Sequence, residues 1–209
     1  LVREPEIKAK KEFFSSRLRY NQLYFVSDAK NTNFAKLFQT RIKRFMKVFK
    51  FGGASLESIE RRQNVGKILQ SYPDEPLLVV ISAMGKTTNE LEKVAENYFR
   101  RRREITAQLL FNIKQKHIEL AEELLQAKEH PLLDQLRQFF TEMEWQLGEK
   151  PYNGYDYYYD QIVSMGELLS SAILSAYLQT AGILNQWVDV RDIIRTDDTY
   201  RDALIDWDY

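Results

Sequence analysis

Within six positions, Lys50-Phe51-Gly52-Gly53-Ala54-Ser55, the chain sets a cation, two residues without side chains and a hydroxyl. That order suits an anion. Glycine leaves main-chain N–H groups open to close approach, Lys50 neutralises charge, and Ser55 can donate to an oxygen. The alternating residues before it, Lys47 to Phe51, read as a strand, so the glycine pair is equally a tight turn at a strand end. Ser55 has an ordinary role as well, the N-cap of the helix after it. On the turn alone both readings stand.

Other candidates are weighed the same way. "GKTT" at 85–88 has the tail of a phosphate loop, but that motif needs a glycine five positions before Gly85, where Val80 stands. Dinucleotide binding fails for want of a third glycine after Gly52-Gly53. In "SMGE", Ser164 and Glu167 have the spacing of a capping box; the functional alternative is a carboxylate at the sheet's edge that grips an amino group. Thr87 and Glu90 fit a second capping box, which leaves Thr88 the more available hydroxyl. His117 and His130 have no neighbouring metal-ligand residues and are expected to face solvent. No metal ligand is nominated.

These residues need elements to hold them. "KVFKF" is a strand stopped by the glycines, and Leu56, Ile59, Val65, Ile68 and Leu69 follow at near-helical spacing. "LLVVIS" (77–82) is a continuous apolar run, as in a strand buried on both faces. Two strands joined by one helix imply a right-handed parallel crossover. The Gly-Gly loop and the "SAMGKTT" loop then share the carboxyl edge of the sheet, where open α/β sheets bind ligands. Residues 89–147 read as two or three long helices turning near Pro131. "GEKPYNGYDYYYD" (148–160) reads as a loop, 161–182 as one apolar helix closed by Gly182, and "ILNQWVDV" (183–190) as a third strand.

Bulk composition narrows the classes. At 209 residues, 44% hydrophobic and 29% charged, with zero net charge, the chain suits one or two domains and gives no global case for nucleic acid or membrane. Without cysteine there is no disulfide, thiolate metal site or cysteine nucleophile. No unbroken apolar run reaches the roughly 18 residues of a membrane span, and a soluble cytoplasmic protein is expected. Residues 1–45 hold eleven Lys/Arg against four Asp/Glu, so the rest carries the balancing acidic surplus. This basic stretch is read as an N-terminal extension, appended to a domain that opens at Met46; a basic arm for RNA or a membrane surface is the other reading.

Four segments in order, "KVFKFGGASL", "VVISAMGKTTNEL", "SMGELLSSAIL" and "WVDVRDIIRTDD", resemble the aspartate kinases (aspartokinases) of the amino-acid-kinase superfamily. The resemblance covers Met46 to about Asp198; the family usually has threonine where Ala54 stands. It implies a three-layer αβα sandwich with a mainly parallel sheet, incomplete in this chain, and a helical insertion at 89–147. It also implies transfer of the γ-phosphoryl of ATP, with Mg²⁺, to the side-chain carboxylate of L-aspartate. The product would be β-aspartyl phosphate, the first step toward lysine, threonine and methionine. By motif match Lys50, the catalytic residue, would meet the phosphates with Gly52, Gly53 and Ser55. Ser82 and Thr88 would lie near the transferring group and substrate, and Glu167 would pair with the substrate ammonium. A homo-oligomer is implied at full length. The family's nucleotide-base pocket and second glycine-rich loop are not found before Tyr209. Residues 46–209 are therefore expected to be the N-terminal portion of the catalytic domain, inactive alone. The alternatives are a non-catalytic fragment, a helical interaction module, or another amino-acid kinase.

Overall fold

A computed structural model describes residues 23–26, 46–73 and 75–208 of the chain. Four strands form one sheet in the order β2-β3-β1-β4: β1 is Leu23–Val26, β2 Lys47–Phe51, β3 Leu77–Ile81 and β4 Gln186–Val188. β2 and β3 run parallel, Lys47 opposite Leu77 through Phe51 opposite Ile81. β1 lies antiparallel to both β3 and β4, so β2, β3 and β4 share one direction. Part of the basic segment, Leu23–Val26, thus belongs to the sheet, a strand the dense charge around it did not suggest. The rest of residues 1–45 lies outside the described residues.

Helix α1 (Ile59–Gln70) joins β2 to β3, as the crossover expectation requires. Its Val65 and Leu69 pack with Leu77, Val79 and Ile81 on one face of β3. Leu174 and Leu178 of α6 (Met165–Thr180) reach the same cluster. Leu78 and Val80, facing the other way, are buried too, which explains the unbroken apolar run.

Residues 87–148 form α2 (Thr87–Phe99), α3 (Arg103–Leu125) and α4 (Pro131–Gly148). The α3–α4 turn falls where Pro131 predicts it: Gln126 closes α3 in the left-handed conformation, and the His130 ring accepts the Leu132 N–H at 3.1 Å as N-cap. Two expectations fail nearby. Residues 155–163 are helix α5 (Tyr155–Val163), because Tyr157 and Tyr158 bury their rings against Tyr98 and each other. The expected single helix over 161–182 is therefore two, α5 and α6, meeting at Ser164, with Gly182 in the left-handed region just past the end of α6. The stretch 155–180 is long and apolar enough, by composition, to span a membrane, although it contains no unbroken apolar run. It is almost wholly buried within the fold, a core element.

His117 corrects the expectation of solvent exposure. It is completely buried on α3, where its Nδ1 lies 2.8 Å from the Ile113 carbonyl oxygen and its Nε2 has no partner among the described residues. The positions Leu110, Ile113, His117, Ala121 and Leu124 form the inward stripe of α3. Burial pushes its pKa down to about 4, and the Arg62 charge adds to the depression.

Candidate active site

β2 ends at Phe51 and β3 at Ile81, side by side, so their following loops meet. The Ser82 N–H donates to Phe51 O at 3.1 Å, and the Gly85 N–H donates to Gly53 O at 3.1 Å. A side chain at Gly53 would start 2.7 Å from the Ala83 carbonyl oxygen and 3.2 Å from that of Gly85, so the bare α-carbon is what lets the loops touch. Gly85 needs its glycine for another reason, φ of +50°. The two glycines of the first turn therefore differ in role. The missing side chain of Gly53 serves loop–loop packing, whereas the open side of Gly52 faces the Lys50 ammonium, 3.8 Å from where its Cβ would stand.

Lys50 is exposed and forms no ion pair among the described residues. Ser55 sits in the 3-10 turn Gly53–Leu56, exposed, its N–H bonded to Gly52 O at 2.9 Å. It is not the cap of α1: Ser58 is, accepting from the Arg61 N–H. That leaves the Ser55 hydroxyl, like those of Ser82 and Thr88, without a hydrogen bond among the described residues. Ala54, at the position of the family's usual threonine, is exposed and uses its carbonyl to accept from the Arg61 guanidinium.

Neither capping box forms. The Lys86–Thr87 corner starts α2 with no side-chain cap; the Thr87 hydroxyl is buried without a partner, and Glu90 pairs with Lys116 at 3.1 Å. Ser164 is already helical, φ −61° and ψ −19°, and its hydroxyl donates back to Gln161 O at 3.4 Å. A cap needs extended backbone, and here α5 runs directly into α6.

Freed from capping, Glu167 points to the loops. It is 5% exposed, and its Oε1 accepts the Ala83 N–H at 3.2 Å. Its Oε2 is buried with no hydrogen-bond partner among the described residues. Burial pushes its pKa up to about 7, with the Ala83 N–H and the Lys50 charge pulling the other way. Lys50 and Glu167 are thus electrostatically coupled across one loop junction. A buried carboxyl with a vacant acceptor oxygen suits a cationic donor, and a free ammonium on an exposed strand end suits an anion.

Ala83 and Gly166 did not stand out in the sequence. The Ala83 amide holds the carboxyl, and Gly166 brings α6 against it: a Cβ at Gly166 would lie 2.9 Å from Ala83 Cβ and 3.5 Å from Thr87 Cγ2. The glycine beside Glu167 was the available signal.

Two parallel strands joined by a helix, with a lysine-glycine corner and a buried carboxyl where their following loops meet, place the chain in the α/β class. Residues 46–206 match the amino acid kinase family, and the chain belongs to that family. It is 37% identical over 161 residues to Aspartokinase 2, chloroplastic, of Arabidopsis thaliana, covering 72% of this chain and 28% of that protein. Aspartokinase 1, chloroplastic, of the same plant is 36% identical over 159 residues, covering 72% and 27%. The chain thus spans little more than a quarter of these relatives' lengths. The crystal structure of E. coli aspartokinase III in complex with aspartate and ADP (R-state) superposes with a TM-score of 0.66 at 24% identity, covering 78% of this chain and 35% of that one. That likeness is one of fold.

Proposed function

We propose that residues 46–209 carry part of a catalytic domain that transfers the γ-phosphoryl of ATP to the side-chain carboxylate of L-aspartate, giving β-aspartyl phosphate. The observation that carries this reading is that, among the described residues, a buried Glu167 oxygen without a partner and a Lys50 ammonium without an ion pair stand on the same loop junction, the Lys50 charge acting on the carboxyl. In this reading Glu167 receives the substrate ammonium, and Lys50 with the Gly52 and Gly53 main chain and Ser55 receives phosphate oxygens. Ser82 and Thr88 offer their free hydroxyls to the substrate and the group in transit. The relatives' names and the aspartate and ADP named for the E. coli structure support the same substrates.

The chemistry fits this residue set. An aspartate carboxylate is already ionised, so no general base is required. Rate comes from aligning two anions and cancelling charge on the oxygens between them. Lys50 is the cation placed for that work. Among the described residues no group of three or more His, Asp or Glu is arranged to hold a metal. Mg²⁺ would accompany the nucleotide and supply charge neutralisation on its phosphates. Turnover and homo-oligomer formation belong to a protein of the relatives' length. Cytoplasm is the compartment expected from the sequence, while two relatives are named chloroplastic.

Titration of ADP and of L-aspartate into the 209-residue chain, followed by amide NMR shifts, tests the assignment. Lys50→Ala should weaken ADP about 10- to 100-fold, as loss of a charge-assisted contact worth about 1.5–3 kcal/mol requires, and spare aspartate. Glu167→Gln should do the reverse. Variants that bind both ligands as the parent chain does would refute the roles.

A further inference from the structure

We propose that Gly166 is a positioning residue: its missing side chain seats the first turn of α6 on Ala83, and this contact holds the Glu167 carboxyl on the Ala83 amide, ready for an ammonium group. The inference rests on the reading of Glu167 as the amine-binding residue.

The geometry makes the link quantitative. Carbon–carbon contact is ordinary from 3.4 Å, and a Cβ at 166 would stand 2.9 Å from Ala83 Cβ, so α6 or the loop must yield by about 0.5 Å. Leu91 Cδ1, at 3.3 Å from the same point, closes a second side. The Ala83 N–H to Glu167 Oε1 bond is already 3.2 Å long, and half an ångström more takes it to about 3.7 Å, past the limit of a hydrogen bond. Helix propensity argues the opposite way. Alanine is favoured over glycine within a helix by about 1 kcal/mol, so the close approach, not the helix, accounts for glycine at this position. The one contact under 3.0 Å is Cβ against Cβ, whereas Leu91 Cδ1 is the end of a flexible side chain that can give by about a tenth of an ångström. Removing the Ala83 methyl should therefore undo the harm of adding one at 166, and the Ala83 N–H survives that change.

The test uses the 209-residue chain and its residue-83 amide resonance through a pH titration. In the parent chain this amide should shift with the ionisation of Glu167, and Glu167→Gln should abolish the shift. Gly166→Ala should remove most of the shift and weaken L-aspartate tenfold or more while leaving ADP binding alone. Ala83→Gly combined with Gly166→Ala should restore both readouts to those of Ala83→Gly by itself. A Gly166→Ala chain that keeps the titrating amide overturns the inference, as does a loss that Ala83→Gly fails to rescue. If Gly166→Ala does not fold, the double variant must fold and show the titrating amide; otherwise the inference falls. The amine-binding reading fails separately, if Glu167→Gln silences the amide yet binds aspartate unchanged.

Discussion

Replacing Glu167 by glutamine should make the chain more stable as pH rises, even as it removes the group assigned to substrate. Burial lifts the Glu167 pKa from 4.5 to about 7. Between those values the folded chain keeps a proton that the unfolded chain releases. The stabilisation from that proton is complete below pH 4.5 and lost as pH climbs through 7. A shift of this size, at about 1.4 kcal/mol per pH unit, corresponds to roughly 3 kcal/mol. Glutamine is neutral at every pH and escapes the loss. Its Oε1 can still accept the Ala83 N–H, but its amide nitrogen takes the place of the partnerless Oε2. That misfit costs about 1–3 kcal/mol at all pH values, so it sets an offset and no slope. Urea unfolding of both chains at pH 4.5, 6, 7 and 8 isolates the slope. The stability difference, variant minus parent, should grow by roughly 3 kcal/mol across the series, equivalent to about 6–12 °C in Tm for a chain of this length. A difference that stays constant with pH would show that folding leaves the Glu167 pKa at its ordinary value and would overturn its burial-driven rise.

His117 has the opposite sign. It is neutral in the fold with its pKa near 4, so its contribution is full above pH 6.5 and lost as pH falls toward 4; His117→Gln should relieve roughly 3 kcal/mol of acid destabilisation, measured by urea midpoints at pH 4.5 and 7.5, and an unchanged acid slope would count against it. Because the two windows overlap, the parent chain's profile between pH 4.5 and 6.5 should be nearly flat, each variant exposing the slope of the other group. Arg62 is fully buried, with one 3.4 Å bond to Ser170 O and two partnerless nitrogens, and burial alone brings its pKa down to about 9. Arg62→Met should leave stability unchanged or raise it by about 1–4 kcal/mol, as for other buried charges replaced by apolar groups; a loss of that size would mean the guanidinium is well paired.

The elements that a reader of the sequence could place were those with a local signal. The period-two run 47–51, the apolar run 77–81 and the proline that opens α4 lie where their patterns put them. Errors arose where the deciding contact was remote. "SMGE" satisfies the spacing of a capping box, yet capping depends on the backbone angle at Ser164, which α5 sets by arriving already helical. Residues 155–160 follow glycine, proline and asparagine and so resemble loop, but tyrosine–tyrosine packing onto α2 makes them helix. His117 lies among charged neighbours, yet its four-residue spacing to both Ile113 and Ala121 marks the buried stripe. The candidate site was legible as a set of residues. Its wiring was not, because the Glu167 to Ala83 bond joins positions 84 apart.

That wiring explains why ordinary small residues carry so much of the arrangement. Ala83 meets three demands at once: its carbonyl faces bare Gly53, its methyl faces bare Gly166, and its N–H holds Glu167. The first contact ties it to the lysine–glycine corner and the other two tie it to the carboxyl. Spacing between the two charged groups is therefore set through one residue, with main-chain atoms on two of its three sides. Side chains at 53 or 166 would act on that spacing without touching either charge, and a lysine or carboxylate substitution would remove a charge without moving the frame. The two kinds of change should separate in experiment, the first moving the residue-83 amide resonance and, at 166, weakening L-aspartate through that displacement, the second removing a ligand's charged partner with the frame in place.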